Sequence, residues 1–168
     1  AISNSRQFSA YQELARDGEL PMRTFTMMLI DDTLDDLERE LRTLVAAKPE
    51  KVDTTLLILP YALEKFDDFT DFLDLVEIVL KVQGLTGVIQ VASFHPQYRF
   101  ADATADDMSN FTNRSPYPMI HILREAMLDG AIAYYGDTET IPKNNIRRLQ
   151  ELGLAKVLSL MEQCKQST

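Results

Sequence analysis

Two apolar rhythms alternate along the first 94 residues, and that alternation restricts the fold more than any other feature of the chain. Residues 54–59, TTLLIL, form an unbroken apolar run closed by Pro60. A run so short and continuous suits a strand buried on both faces. After it, Phe66, Phe69, Leu73, Val76 and Leu80 recur every three or four residues, the spacing of a helix with one buried stripe. A similar pair comes before. Residues 22–30, MRTFTMMLI, read as a strand that stops at Asp31-Asp32. Thr33 then offers a helix cap with Asp36 three residues on, and Leu34, Leu37, Leu41 and Leu44 keep the helical period as far as KPEK. Gly84 is a natural stop for the second helix, and residues 87–94, GVIQVASF, make a third strand. The acidic residues between the apolar positions of the second helix (Asp67, Asp68, Asp71, Asp74, Glu77) read as its solvated face.

Strand, helix, strand, helix, strand predicts an α/β or α+β single domain. Its small mixed sheet is built from βαβαβ, its successive strands parallel neighbours joined by right-handed crossovers, with covering helices and further helices at the C-terminal end. A split ferredoxin-like arrangement is the alternative. The first 20 residues could add a helix or an edge strand. Residues 95–114, HPQYRFADATADDMSNFTNR, have no period and many turn formers. Tyr98, Phe100 and Phe111 favour a packed loop over a floppy one, and loops of this length usually carry function or are disordered. Ser115-Pro116 reads as an N-cap followed by a proline at the first helical position, starting a helix to about Leu128 or Tyr135. Thr140 and Pro142 repeat that logic before a last helical region, interrupted at Gly153 and ending near Gln163.

The totals exclude several functions. The chain has 168 residues and a formal net charge of -9. That charge repels nucleic acid and anionic membranes, so neither is an expected partner. Cys164 is the single cysteine, which rules out an intrachain disulfide and any multi-cysteine zinc site. No apolar run reaches the length of a membrane span, and residues 1–10 lack the pattern of a secretory leader. A soluble cytoplasmic protein is the expectation. Asn110-Phe111-Thr112 and Asn113-Arg114-Ser115 match the N-glycosylation rule, read here as coincidence.

Both histidines fall in the window that holds the long loop. His95 stands at the carboxyl end of the third strand, where open α/β sheets collect ligands. The loop returns as Asn113-Arg114-Ser115 at the expected helix start, a place that favours an anion. Arg114 and Arg124 offer planar forks for a carboxylate or phosphate, with Tyr98 and Tyr117 as neighbours. On that helix His121 and Glu125 would lie one turn apart. Together with His95 they would make two imidazoles and a carboxylate, a set that suits a divalent transition metal such as zinc or iron, with Asp106 or Asp107 to complete it. The plain alternatives are a His121–Glu125 hydrogen bond, a structural His95 bonding loop backbone, a surface or salt-bridging Arg124 and turn-bridging by Asn113.

The stretch Gly87–Glu125 resembles the bacterial domain of unknown function 1415 family. The words that carry the likeness are Ala92–Pro96, Tyr98, Phe100, Asn110, Thr112–Pro118, His121 and Leu123–Glu125. Phe66–Leu75 and Ile141–Gly153 are similar to segments of the same family. The likeness covers residues 22–153, leaving 1–21 and 154–168 as flanks. Members commonly carry a Cys-Pro-Phe segment near the N-terminus; here Arg6-Gln7-Phe8 stands in that place, so no role can rest on that cysteine. The resemblance implies no reaction. The residues lead to the expectation of a small enzyme acting on an anionic small molecule, with His95, His121 and Glu125 as catalytic or metal-holding groups. Tyr98, Asn113, Arg114, Ser115, Tyr117 and Arg124 would bind the ligand. The competing expectations are a non-catalytic ligand-binding or regulatory module and a purely structural polar network.

Overall fold

The computed structural model describes residues 23–26, 30–49, 51–52, 54–126 and 140–166. In chain order the elements are β1 (Arg23–Thr26), α1 (Ile30–Ala46), β2 (Thr54–Ile58), α2 (Phe66–Val82), β3 (Ile89–Phe94), a short 3-10 turn (Met108–Thr112), β4 (Met119–Arg124), α3 (Thr140–Leu152) and α4 (Leu154–Gln166). The sheet order is β1-β2-β4-β3. β1 and β2 are parallel, while β4 runs antiparallel between β2 and β3. The α/β class and the small mixed sheet agree with the sequence reading, and the split ferredoxin-like alternative does not occur.

The register assigns each face of the sheet. Thr55, Ile122 and Val91 lie in one row and Leu57, Ile120 and Ser93 in the next row of the same face. Residues of these rows share one core with Leu37, Leu41 and Leu44 of α1 and with Phe69, Phe72, Val76 and Leu80 of α2. Both crossover helices therefore cover one face. The rows between them, Leu56–His121–Ala92 and Ile58–Met119–Phe94, point the other way. Helix α2 ends in a Schellman turn: Leu85 N–H reaches the Leu80 carbonyl at 2.8 Å and Gly84 N–H reaches Lys81 at 3.2 Å. Gly84 at φ 68 makes that turn without a Cβ penalty. A second, smaller core joins Phe111 of the 3-10 turn to Leu149 of α3 and Val157 of α4. Gly153, at φ 75, breaks the last helical region in two as its position suggested.

The structure corrects three expectations. The helix expected from Ser115-Pro116 is absent at its start: residues 119–124 are the strand β4. Two prolines one residue apart explain it. Pro118 pushes Tyr117 out of the helical region, so Pro116 cannot open a helix. Ile120 and Ile122 then alternate with His121 and Leu123, the two-residue period of a strand. In the second correction α1 begins at Ile30, before Thr33, and Thr33 is a buried helical residue. Third, β2 and β3 are not neighbours, because β4 occupies the place between them. The expected continuation of the helix to Leu128 or Tyr135 lies mostly outside the described residues, as do the N-terminal segment and Arg6-Gln7-Phe8.

Candidate functional site

His95 ends β3 on the helix-covered side and is fully buried. Its Nε2 lies 3.0 Å from the Leu63 carbonyl, and its Nδ1 accepts the Gln97 N–H at 3.0 Å. A carbonyl only accepts, so the proton sits on Nε2 and the ring is neutral. The Phe66 and Phe69 rings flank it at centroid distances of 5.3 and 5.0 Å. Burial lowers the pKa of His95, opposed in part by the Leu63 and Glu64 backbone. Leu63, whose carbonyl it holds, is left-handed at φ 56, a conformation that costs an L-residue free energy and persists where its surroundings impose it. Both ring nitrogens of His95 are thus bound to backbone.

The loop from His95 to Pro118 is packed, as its aromatics implied. Asn110 is fully buried. Its Oδ1 accepts from Phe100 N–H at 3.0 Å and its Nδ2 donates to Thr104 at 2.7 Å. Arg114 donates from Nε to Tyr98 at 3.1 Å and from a terminal nitrogen to Ala105 at 2.8 Å, and it stacks 4.3 Å above the Phe111 ring. Burial lowers its pKa and Asp106 opposes the shift. Asn113 donates to the Ser93 carbonyl at 3.2 Å and accepts the His95 N–H on its own carbonyl at 3.1 Å. Ser115 donates to the Tyr117 carbonyl. The Tyr98 ring packs on Phe66 and Phe100. Asp107 caps the 3-10 turn, accepting from Ser109 N–H at 2.8 Å. Burial of Asn110 also removes it as a glycosylation acceptor.

Arg124 serves α1. It donates to the carbonyls of Leu44, Ala47 (2.8 Å) and Val52 (3.3 Å), so its guanidinium closes the last turn, where unpaired carbonyls and the helix dipole favour a cation.

His121 lies on the opposite face of the sheet from His95, in the row Leu56–His121–Ala92. The end of β3 and the start of the proline segment adjoin, since Asn113 bonds both Ser93 and His95. The two imidazoles do not meet. Glu125 lies just past the end of β4, so the strand geometry between them replaces the single helical turn that was to bring it to His121. Among the described residues no three His, Cys, Asp or Glu side chains are grouped to hold a metal. The metal set drawn on a helical 116–128 is corrected for that reason.

What surrounds His121 was not legible in its own neighbourhood. Thr54 Oγ1 lies 2.6 Å from His121 Nε2 and donates to the Ile122 carbonyl at 2.7 Å. The hydroxyl has one hydrogen and the carbonyl takes it, so Nε2–H must donate to Thr54 Oγ1. Thr54 is therefore not activated as a nucleophile by this imidazole. The remaining nitrogen, Nδ1, is an acceptor without a partner among the described residues. Glu40 Oε2 and Thr55 Oγ1 are the buried side-chain atoms without a hydrogen-bond partner among the described residues. Burial lowers the pKa of His121 to about 4, and the ring is neutral at pH 7. Its half-buried setting, with Leu56 and Met119 buried beside it, is a polar point on an apolar sheet face. Glu40, also missed, carried a readable signal. It falls on the Leu37–Leu41–Leu44 stripe and is buried with it.

A small mixed sheet with two crossover helices on one face, a knitted loop and a partly buried, neutral imidazole on the other face define an α/β domain. The chain matches the family model described as a protein of unknown function (DUF1415) over residues 10–159 and belongs to that family. Neither the curated proteins nor the solved structures gave a match. No helix among the described residues is long and apolar enough to cross a membrane.

Proposed function

We propose that this chain is a small-ligand-binding domain whose recognition point is His121 Nδ1, on the sheet face opposite α1 and α2. One observation carries the reading: the Thr54 contact commits Nε2–H and leaves Nδ1 a neutral acceptor. Such an atom takes an N–H or O–H donor. Ala92, partly exposed in the same row as His121, supplies apolar contact for the ligand body. Binding fits better than proton abstraction, because an imidazole with a pKa of about 4 is a weak base at neutral pH. The guanidinium groups of Arg114 and Arg124 are bonded to backbone carbonyls, which favours a neutral ligand over the anion expected from the sequence.

A thermal-shift screen of two small-molecule sets tests this, one neutral with N–H or O–H donors and one carboxylated or phosphorylated. Neutral hits that raise the melting point of the wild type should bind His121→Leu at least about tenfold more weakly, the worth of one good hydrogen bond. Hits confined to the anionic set, or neutral hits that bind His121→Leu as tightly as wild type, overturn the proposal.

A further inference from the structure

Helix α2 buries Phe69, Phe72, Val76 and Leu80 against the sheet. Its outer surface is not the uniformly polar face that its acidic residues suggest. Leu75, Ile78 and Val82 are 44%, 57% and 81% exposed. They follow one another at i, i+3 and i+7, so they form one stripe about 10 Å long. Beside and before that stripe stand Asp67, Asp68, Asp71, Asp74 and Glu77, all exposed. None of these five carboxylates has an ion-pair partner among the described residues. On α1 and α3, by contrast, acids are neutralised within the helix, as in Arg42–Glu38 at 3.2 Å and Arg148–Glu151 at 3.0 Å. An apolar stripe edged by uncompensated carboxylates calls for an occupant with the opposite charge and apolar anchors of its own.

The chain itself carries exposed residues of that character. In a protein of net charge -9, the C-terminal helix pair is locally basic. Lys143 and Arg147 lie one turn apart on α3, both exposed, with Arg148 next to them. Past the break at Gly153, α4 exposes Leu154 and Leu158, at 41% and 46%, one turn apart and with Lys156 between them. Charge and apolar spacing on α3–α4 thus complement those on α2.

We propose that two copies of the chain associate, the acidic apolar face of α2 from one copy seating on the basic apolar α3–α4 surface of the other. Leu154 and Leu158 then cover Leu75, Ile78 and Val82, while Lys143 and Arg147 face the Asp71–Asp74 stretch. The two surfaces differ, so the contact is made twice in a two-fold dimer or end to end in a longer chain. It weakens with salt, because exposed charges at the rim are screened within about 10 Å at 0.1 M.

Sedimentation velocity of the full chain, from about 1 to 200 µM at 50 and 500 mM NaCl, reads the association. The expected result is a concentration-dependent shift to dimer or larger, at least about fivefold weaker at the higher salt. Ile78→Glu should leave the far-UV spectrum and melting point intact and weaken association at least about tenfold. Asp71→Lys with Asp74→Lys should abolish it in the same way. Mixing that variant with Lys143→Glu/Arg147→Glu should restore it in the mixture alone. A wild-type monomer throughout the range, association insensitive to Ile78→Glu, or a charge-swapped mixture that stays monomeric would each overturn the proposal.

Discussion

Each of the two histidines is neutral for a different reason, and the difference is testable at the level of the residue. His95 has both nitrogens on backbone partners, and His121 spends one nitrogen on Thr54. For His121 the pKa is lowered from 6.5 to about 4. Between these values the unfolded chain binds a proton that the folded chain refuses. Above pH 6.5 both states are neutral and stability is undiminished; as pH falls toward 4 stability is lost, by at most about 3.5 kcal/mol at 1.4 kcal/mol per unit. His95 adds loss in the same direction. Urea melts at pH 7 and pH 4.5 should show a smaller acid-induced drop for His121→Gln than for wild type. An equal drop in both would place the titration elsewhere. Residue identity alone showed that these two positions were unusual. It did not show that β-strand alternation sends them to opposite sides of the sheet.

At the scale of elements, Arg124 joins β4 to the end of α1 across 80 residues of sequence. Replacing it by Met keeps much of the stem and removes three carbonyl contacts and a cation at the helix terminus. The expected cost is roughly 2–3 kcal/mol, read from urea denaturation, with faster amide exchange in the last turn of α1. Arg124→Lys should recover part of it, since the ammonium keeps the charge without the planar fork. A neutral Arg124→Met would show that the clamp contributes nothing. The sequence displayed α1, β2, α2 and β3 clearly, because each has a long run of one period. It misled at residues 116–124, where a good cap and proline were weighed above the second proline. Pro118 and the Ile120–Ile122 alternation contained the correction.

At the scale of the molecule, the two cores are joined through the loop that holds His95, Asn110 and Arg114. The main core lies between the sheet and α1 and α2, and the smaller one ties the 3-10 turn to α3 and α4. Leu149→Ala should cost roughly 2–5 kcal/mol where the smaller core cannot collapse. It should speed hydrogen exchange at Met108–Thr112 while the amides of β2 and β4 keep their protection. Exchange rising equally in β2 and β4 would mean that the two cores unfold as one. Such coupling is invisible in a linear pattern, since Phe111, Leu149 and Val157 come from separate segments.

What the amino-acid order determined by itself was local: which segments bury one stripe or a whole strand, where Gly84 and Gly153 break helices, and that the stretch from His95 to His121 is the distinctive part of the chain. Those features follow from steric and solvation preferences that act within a few residues. The tertiary structure decided what faces what. Inserting β4 between β2 and β3 sets Thr54 against His121, sends His95 to the other side, and turns both arginines toward backbone carbonyls. These pairings depend on register across distant segments, where the choice of neighbour comes from burying the whole apolar surface at once.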